Sequence, residues 1–204
     1  MCNGETLSLG QALLKRSFDL VFSFLGLLLT LWIILPAFLI ATIDTQENGF
    51  FVQKRVGYKG EVFSLIKLKT MRSSSKSETT VTTSADPRIS KMGRFWRKTK
   101  IDELPQLINI FLGQMSFVGP RPDVPGFADV LTGEDRIVLE VKPGITGPAT
   151  LKYRKEEEIL SRQSDPEKYN KEEIFPDKVR INKEYVKNYS FWKDLKYIWQ
   201  TVAC

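Results

Sequence analysis

Leu20 to Ile43 reads LVFSFLGLLLTLWIILPAFLIATI, 24 residues without a charge. As a helix rising about 1.5 Å per residue it would extend about 36 Å, more than the roughly 30 Å hydrocarbon core of a bilayer. No other feature limits the fold as strongly, because a segment this apolar must be covered by lipid or enclosed by protein. It exceeds the h-region of a secretory signal, and no small-x-small site in a polar context follows it, so a retained anchor is expected rather than a cleaved leader. A helix buried in a soluble core is the competing reading.

The flanks do not select a crossing. Lys15 and Arg16 precede the run, and Lys54, Arg55 and Lys59 follow it, so the positive-inside rule is satisfied on both sides. Pro36 lies within the run. It lacks a backbone donor and clashes with the carbonyl four residues back, so it can kink a helix. Two forms follow: a re-entrant helix-break-helix entering and leaving on one face, or a kinked ordinary span. The expected organisation is a membrane anchor over residues 1–48, with its helix at 20–43 and a break near Pro36, followed by a domain over 49–204.

Charge is concentrated rather than spread. The formal net charge is +6, yet Gln53 to Lys100 holds 13 Lys/Arg against 3 Asp/Glu, while the segments before and after it are each slightly acidic. Such a block attracts phosphates, whether of a nucleotide, a lipid headgroup or a nucleic acid. The two cysteines, Cys2 and Cys204, offer no disulfide framework or zinc-type spacing. With no histidine in the chain, catalysis must run without imidazole, which leaves Asp, Glu, Lys, Arg, Tyr and metal ions as acid–base actors.

Beyond the anchor, FFVQKRV, GYKG and EVFSLIKLKTM (50–71) predict a β-hairpin. On its second strand Phe63, Leu65, Lys67 and Lys69 share a face. The polar stretch 73–86 predicts a loop, either a linker or a lid. ISKMGRFWRKTKI mixes Phe95 and Trp96 with cations, as interfacial helices do. LPQLINIFLGQMSF (104–117) is apolar on most faces and is expected to be buried or membrane-facing. VGPRPDVPG and VKPGITGPA predict rigid loops, and Arg121, between two prolines, has a fixed mount suited to a phosphate. The tail predicts helices, with Phe191, Leu195, Ile198 and Val202 on one stripe. That stripe packs on the core or lies on a bilayer. Together these give an α+β, mostly helical chain: an N-terminal membrane helix, a small β-hairpin and interfacial amphipathic helices.

Asp102 and Glu103, in TKIDELPQL, follow the basic run directly. Thr99 to Asp102 fits a capping box, and Glu103 would add charge where a helix dipole favours it, which explains the motif without chemistry. The alternative is functional. Neighbours on a helix diverge by about 100°, so the two carboxylates can take different roles. Cations around them would gather phosphates, and a carboxylate there can attack phosphorus.

The order of KRSFDL (15–20), FVQKRVGYKGEVFSLIKLKTMR (51–72), RKTKIDELPQL (97–107), GQMSFVGPRPDVP (113–125) and KPGITGPA (142–149) resembles the bacterial sugar transferase family, the small monotopic polyprenol-phosphate phosphoglycosyl transferases. The resemblance covers roughly Lys15 to Ala149. It implies an enzyme at the cytoplasmic face of the bacterial inner membrane. Such an enzyme moves a sugar 1-phosphate from a UDP-sugar to undecaprenyl phosphate and releases UMP, at the membrane step that opens exopolysaccharide or related glycoconjugate synthesis. Carried over, Asp102 matches the nucleophile that forms a phosphosugar-enzyme. Glu103 matches the acidic partner that helps hold Mg²⁺ beside Asp102. Arg97 and Arg121 match phosphate-binding arginines, and Lys67 a basic residue near the site. Membrane lipids are implied partners; a nucleic acid is not. Oligomeric state, a homodimer included, is left open, as is the donor sugar.

The chain departs from the family at the membrane helix, where a Ser-Pro break is usual. Here Leu35 precedes Pro36, about one turn late, and Leu31 and Trp32 occupy the usual place; a hydroxyl would have to come from elsewhere, such as Thr30. Two other readings stand beside the transferase. A non-catalytic scaffold binding anionic lipid or a partner explains the anchor and the charge but not IDELPQL with GPRP. A membrane-tethered nucleic-acid binder explains only the charge.

Overall fold

The structure, a computed structural model, describes residues 7–73 and 86–203. Most of the polar stretch expected as a loop or lid, residues 74–85, lies outside the described residues. Helix α1 spans Leu9–Thr45 and starts well before the apolar run. Ser8 begins it with a reciprocal capping box: its Oγ accepts from Gln11 N, and its own N donates to Gln11 Oε1. The expected separation at Pro36 does not occur, since the proline sits inside one uninterrupted helix. The turn after it is held by packing, because Ala37 and Ala41 lie against Leu68 and Trp96. Thr30 Oγ1 donates to its own helix, to Gly26 O at 2.7 Å.

This helix has two unlike faces. Lys15, Asp19, Ser23, Ile34, Ala37, Ala41 and Thr45 are buried, whereas Leu29, Trp32 and Ile43 are each more than 70% exposed. It is long and apolar enough to cross a membrane. An exposed face this apolar is a membrane surface rather than a soluble one. Yet α1 is no detached anchor. Lys15 reaches Val118, Leu27 packs on the cluster of Leu65, Leu107 and Ile110, and Ala41 sits on Leu68. The rest of the chain follows it along its length.

Strands β1 (Phe50–Val56) and β2 (Val62–Leu68) form the expected antiparallel hairpin, with Phe51 opposite Lys67 and Arg55 opposite Phe63. Directly opposed residues share a face. That face turns Phe63 and Leu65 onto Leu107, Ile110 and Met115, each contributing about 1.5–3 kcal/mol by burial. Helix α2 (Lys91–Thr99) is capped by Ser90 Oγ, which accepts from Gly93 N. Helix α3 (Gln106–Phe111) is docked on β2 by Asn109, fully buried. Its Nδ2 donates to Ser64 O and its Oδ1 accepts from Ile66 N. The amide thereby mimics a third strand and satisfies the edge of β2.

A second sheet was not expected. Strands β3 (Ser116–Val118) and β4 (Gly144–Thr146) pair in parallel, Ser116 opposite Gly144 and Val118 opposite Thr146. Each is three residues long inside a Pro/Gly-rich loop, too short to show a period. The backbones cross closely: a Cβ on Gly119 would lie 2.3 Å from Lys142 O, and one on Gly144 would lie 2.2 Å from Gly119 N. Gly119→Ala or Gly144→Ala is therefore expected to destabilise by about 1–3 kcal/mol or more. Denaturant unfolding in detergent checks this, and wild-type stability in both variants would contradict it.

The tail is helical, as expected. Short helices α4 (Pro148–Lys152), α5 (Glu156–Ser161) and α6 (Pro166–Tyr169) lead to α7 (Phe175–Lys187) and α8 (Phe191–Ala203). The last helix packs on the core along one side and leaves aromatic residues exposed on another. Phe191 stacks edge-on against Phe18 and Asp194 is buried, while Trp192 and Trp199 point outward.

Candidate active site

Thr99 does not cap a new helix; it ends α2, its hydroxyl donating back to Phe95 O. The capping-box explanation of TKID therefore does not hold. Lys100 adopts a left-handed conformation, φ 59°, an uncommon state for a residue with a side chain. This bend directs the chain into a tight 3₁₀ turn, Ile101–Glu103, which Pro105 and α3 follow. The two carboxylates thus occupy a short turn wedged between helices, not the open first turn of a long one.

Their environments differ sharply. Asp102 is only 7% exposed, and its Oδ1 is buried without a hydrogen-bond partner. Burial, then the neighbouring Glu103 charge, push its carboxyl up to about 6. Glu103 is also buried, which alone would raise it. The charges of Arg121, Lys67 and Lys100 outweigh that and hold it well below the usual carboxylate range. Arg121 Nη2 donates to Glu103 Oε1 at 2.6 Å, and Lys67 Nζ stands 3.7 Å from the same oxygen. Glu103 in turn fixes Arg121 more firmly in its charged form. Lys67 is pushed down to about 8 by burial, Glu103 opposing.

Lys67, Asp102, Glu103 and Arg121, separated by up to 54 positions in the chain, therefore meet at one point. They line a cleft of about 1460 Å³, large enough for a nucleotide sugar, with Arg72, Arg88, Arg94 and Lys98 also on its walls. Arg97 lines the same cleft, paired there with Glu157 and 3.7 Å from Met71 Sδ, both also on its walls. Pro36 lies apart from the cleft, within α1.

Two further residues belong to this site and were missed. Arg55 is on the same hairpin face as Lys67, donates to Pro122 O at 3.1 Å, and has a buried, unpartnered Nε. Burial and the nearby Arg121 charge lower it to about 10. Asp123 lies beyond Arg121 on the same loop, and burial raises it to about 6. The period-2 alternation that gave Lys67 a direction would also have found Arg55, given the register.

Among the described residues, no group of three Asp, Glu, His or Cys side chains gathers into a metal cage. Mg²⁺ needs no such cage: it binds through one or two carboxylates and completes its shell with water and substrate phosphates. The Glu103 carboxylate and Asp102 Oδ2 would supply hard oxygen donors of that kind, apart from the unpartnered Asp102 Oδ1.

Comparison with known proteins gives the family. Residues 10–204 match the family model described as bacterial sugar transferase. The chain is 35% identical over 190 residues to the uncharacterized sugar transferase EpsL of Bacillus subtilis, covering 93% of this chain and 86% of that protein. It is 34% identical to the UDP-glucose:undecaprenyl-phosphate glucose-1-phosphate transferase of Escherichia coli. It is 32% identical to the UDP-galactose-lipid carrier transferase of Erwinia amylovora. In both cases 93% of this chain is covered, but it spans only 39% and 40% of those longer relatives.

Proposed function

The chain belongs to the bacterial sugar transferase family, and from that premise we propose that it transfers a sugar 1-phosphate from a UDP-sugar to undecaprenyl phosphate, releasing UMP. One observation carries the reading. Two adjacent carboxylates are pushed to opposite ends of the carboxylate range at the floor of a cation-lined cleft. Titratable neighbours driven apart in this way mark divided roles.

Asp102 Oδ1 attacks the β-phosphorus of the donor. A bond forms between that oxygen and phosphorus, the bond from phosphorus to the bridging oxygen breaks, and UMP leaves with the electron pair. The phosphosugar then sits on Asp102 until an oxygen of undecaprenyl phosphate attacks the same phosphorus and returns the carboxylate. That acceptor is already ionised near neutral pH, so no histidine base is needed. Arg121 and Lys67 hold Glu103 ionised and place positive charge against the developing phosphate charge. Mg²⁺, held by Glu103 and Asp102, would neutralise the diphosphate when bound.

The contacts of α1 support a membrane setting for this reading. Charged and polar groups of the domain contact it near both ends, Val118 with Lys15 and Arg72 with Asp44. Contacts of one domain at both ends argue against a bilayer-spanning helix. We place the helix in one leaflet, with the cleft at the cytoplasmic face of the inner membrane, where UDP-sugars are made. A scaffold gives no reason for a buried, unpartnered carboxylate.

UMP release from a panel of UDP-sugars, with Mg²⁺ and undecaprenyl phosphate, tests the proposal. A donor-dependent UMP release that continues beyond one equivalent of enzyme only with acceptor is expected, and none from any donor by folded, membrane-bound protein would overturn it. The pH profile adds a second check. Asp102 must be ionised and Lys67 charged, so kcat/KM should rise through about 6 and fall above about 8. Lys67→Arg should shift the alkaline limb upward; an unmoved limb would remove Lys67 from this role.

A further inference from the structure

The KRSFDL motif takes no part in the cleft, yet three of its side chains are committed to one short segment. Arg16 donates to Ile110 O and Phe111 O, both at 2.8 Å, at the C-terminal end of α3. Asp19 Oδ1 accepts from Ser116 Oγ at 3.1 Å and Phe117 N at 3.0 Å. Lys15 Nζ donates to Val118 O at 2.8 Å and to Asp194 Oδ2. Asp194, on α8, also accepts from Tyr185 and Tyr189. Lys15, Asp19 and Asp194 are all less than 8% exposed. Burying charges on a membrane helix costs free energy that apolar residues would not, and their use is to specify one arrangement.

The arrangement specified is the connection between the catalytic carboxylates and the arginine that serves them. Residues 110–118 join the helix that follows Glu103 to the loop that carries Arg121. α1 grips this segment at five backbone or side-chain points, the last only three residues before Arg121. We infer that Lys15, Arg16 and Asp19 are positioning residues. Through β3 they set Arg121 against Glu103, so the membrane helix is a structural part of the active site as well as its anchor. The inference rests on the transferase reading for the role of Arg121.

A double-mutant cycle on the full chain in nanodiscs tests it, pairing Asp19→Asn, and separately Arg16→Gln, with Arg121→Lys. Each anchor variant alone should lower kcat for UMP release about tenfold, and by less than about threefold once Arg121 is Lys, because residues acting through one element are not additive. Equal losses in both backgrounds would overturn the inference, since a general loss of folding acts regardless of Arg121. Hydrogen exchange gives a second readout that needs no turnover. Amides across 113–121 should exchange faster in Arg16→Gln while those of α7 do not change; a uniform change, or none, would count against positioning. If Asp19→Asn fails to fold, the Arg16→Gln cycle decides alone, its site being less deeply buried. A wild type that releases no UMP would sink the transferase reading instead, and exchange would still judge the anchoring.

Discussion

Asp102→Asn should reduce UMP release by roughly three orders of magnitude or more, the usual scale for loss of a covalent nucleophile. The protein should nonetheless remain folded and membrane-bound. The amide matches the carboxylate in size, so the turn at Ile101–Glu103 has no steric reason to move. Stability should rise. Burial, then Glu103, raise the Asp102 carboxyl from 3.8 to about 6. An acid raised on folding opposes folding once the unfolded carboxyl ionises, and does so fully above its folded value. At pH 7 this opposition is on the order of 2–3 kcal/mol, and the neutral amide removes it. A dead variant with a higher melting temperature is the signature of a group placed for reaction rather than for folding. Loss of activity together with loss of stability would make Asp102 a structural residue. Retained turnover would move the nucleophile elsewhere.

The comparison of sequence with structure divides by range. Features written in a local period were legible: the apolar helix, the hairpin and the tail helices all appear. Lys67 and Arg121 were assigned through motifs, and the structure brings both to Glu103. What was not legible depends on distant partners. Asn109 looked like a lone polar residue in an apolar run; only the edge of β2 explains it. β3 and β4 carry no period and exist because two glycine-rich backbones cross. Thr99 fitted a capping box, yet Lys100 turned left-handed and closed α2 instead. Pro36 did not divide α1, because tertiary contacts at Ala37 and Ala41 hold the helix on its far side. Arg97, expected at a phosphate, pairs with Glu157, a residue sixty positions away that no local rule connects to it.

Arg121→Ala is the second large expected effect, and it should damage both catalysis and folding. The Glu103 side chain is only 11% exposed. Without the guanidinium it keeps Lys67 at 3.7 Å and the charge of Lys100. An ionised carboxylate stripped of its main partner in a buried site costs about 3–5 kcal/mol. In the wild type Glu103 is held well below its ordinary value of 4.5, against the burial that would raise it. Its pairing therefore stabilises the fold above that value, and the contribution fades as pH falls below it. The stability gap between wild type and Arg121→Ala should be widest at neutral pH and should narrow on acidification. Turnover should fall about 10²- to 10³-fold, the scale for losing one donor to developing phosphate charge. Arg121→Lys separates the two roles. It restores a cation near Glu103 and so much of the stability, but lacks the planar fork that can bond a carboxylate and a phosphate together. Denaturant unfolding at several pH values, beside UMP release, reads both. If Arg121→Lys recovers turnover as fully as stability, the fork geometry is irrelevant and Arg121 acts only as a charge. If Arg121→Ala keeps wild-type stability, the buried pair is not what holds this turn against the loop.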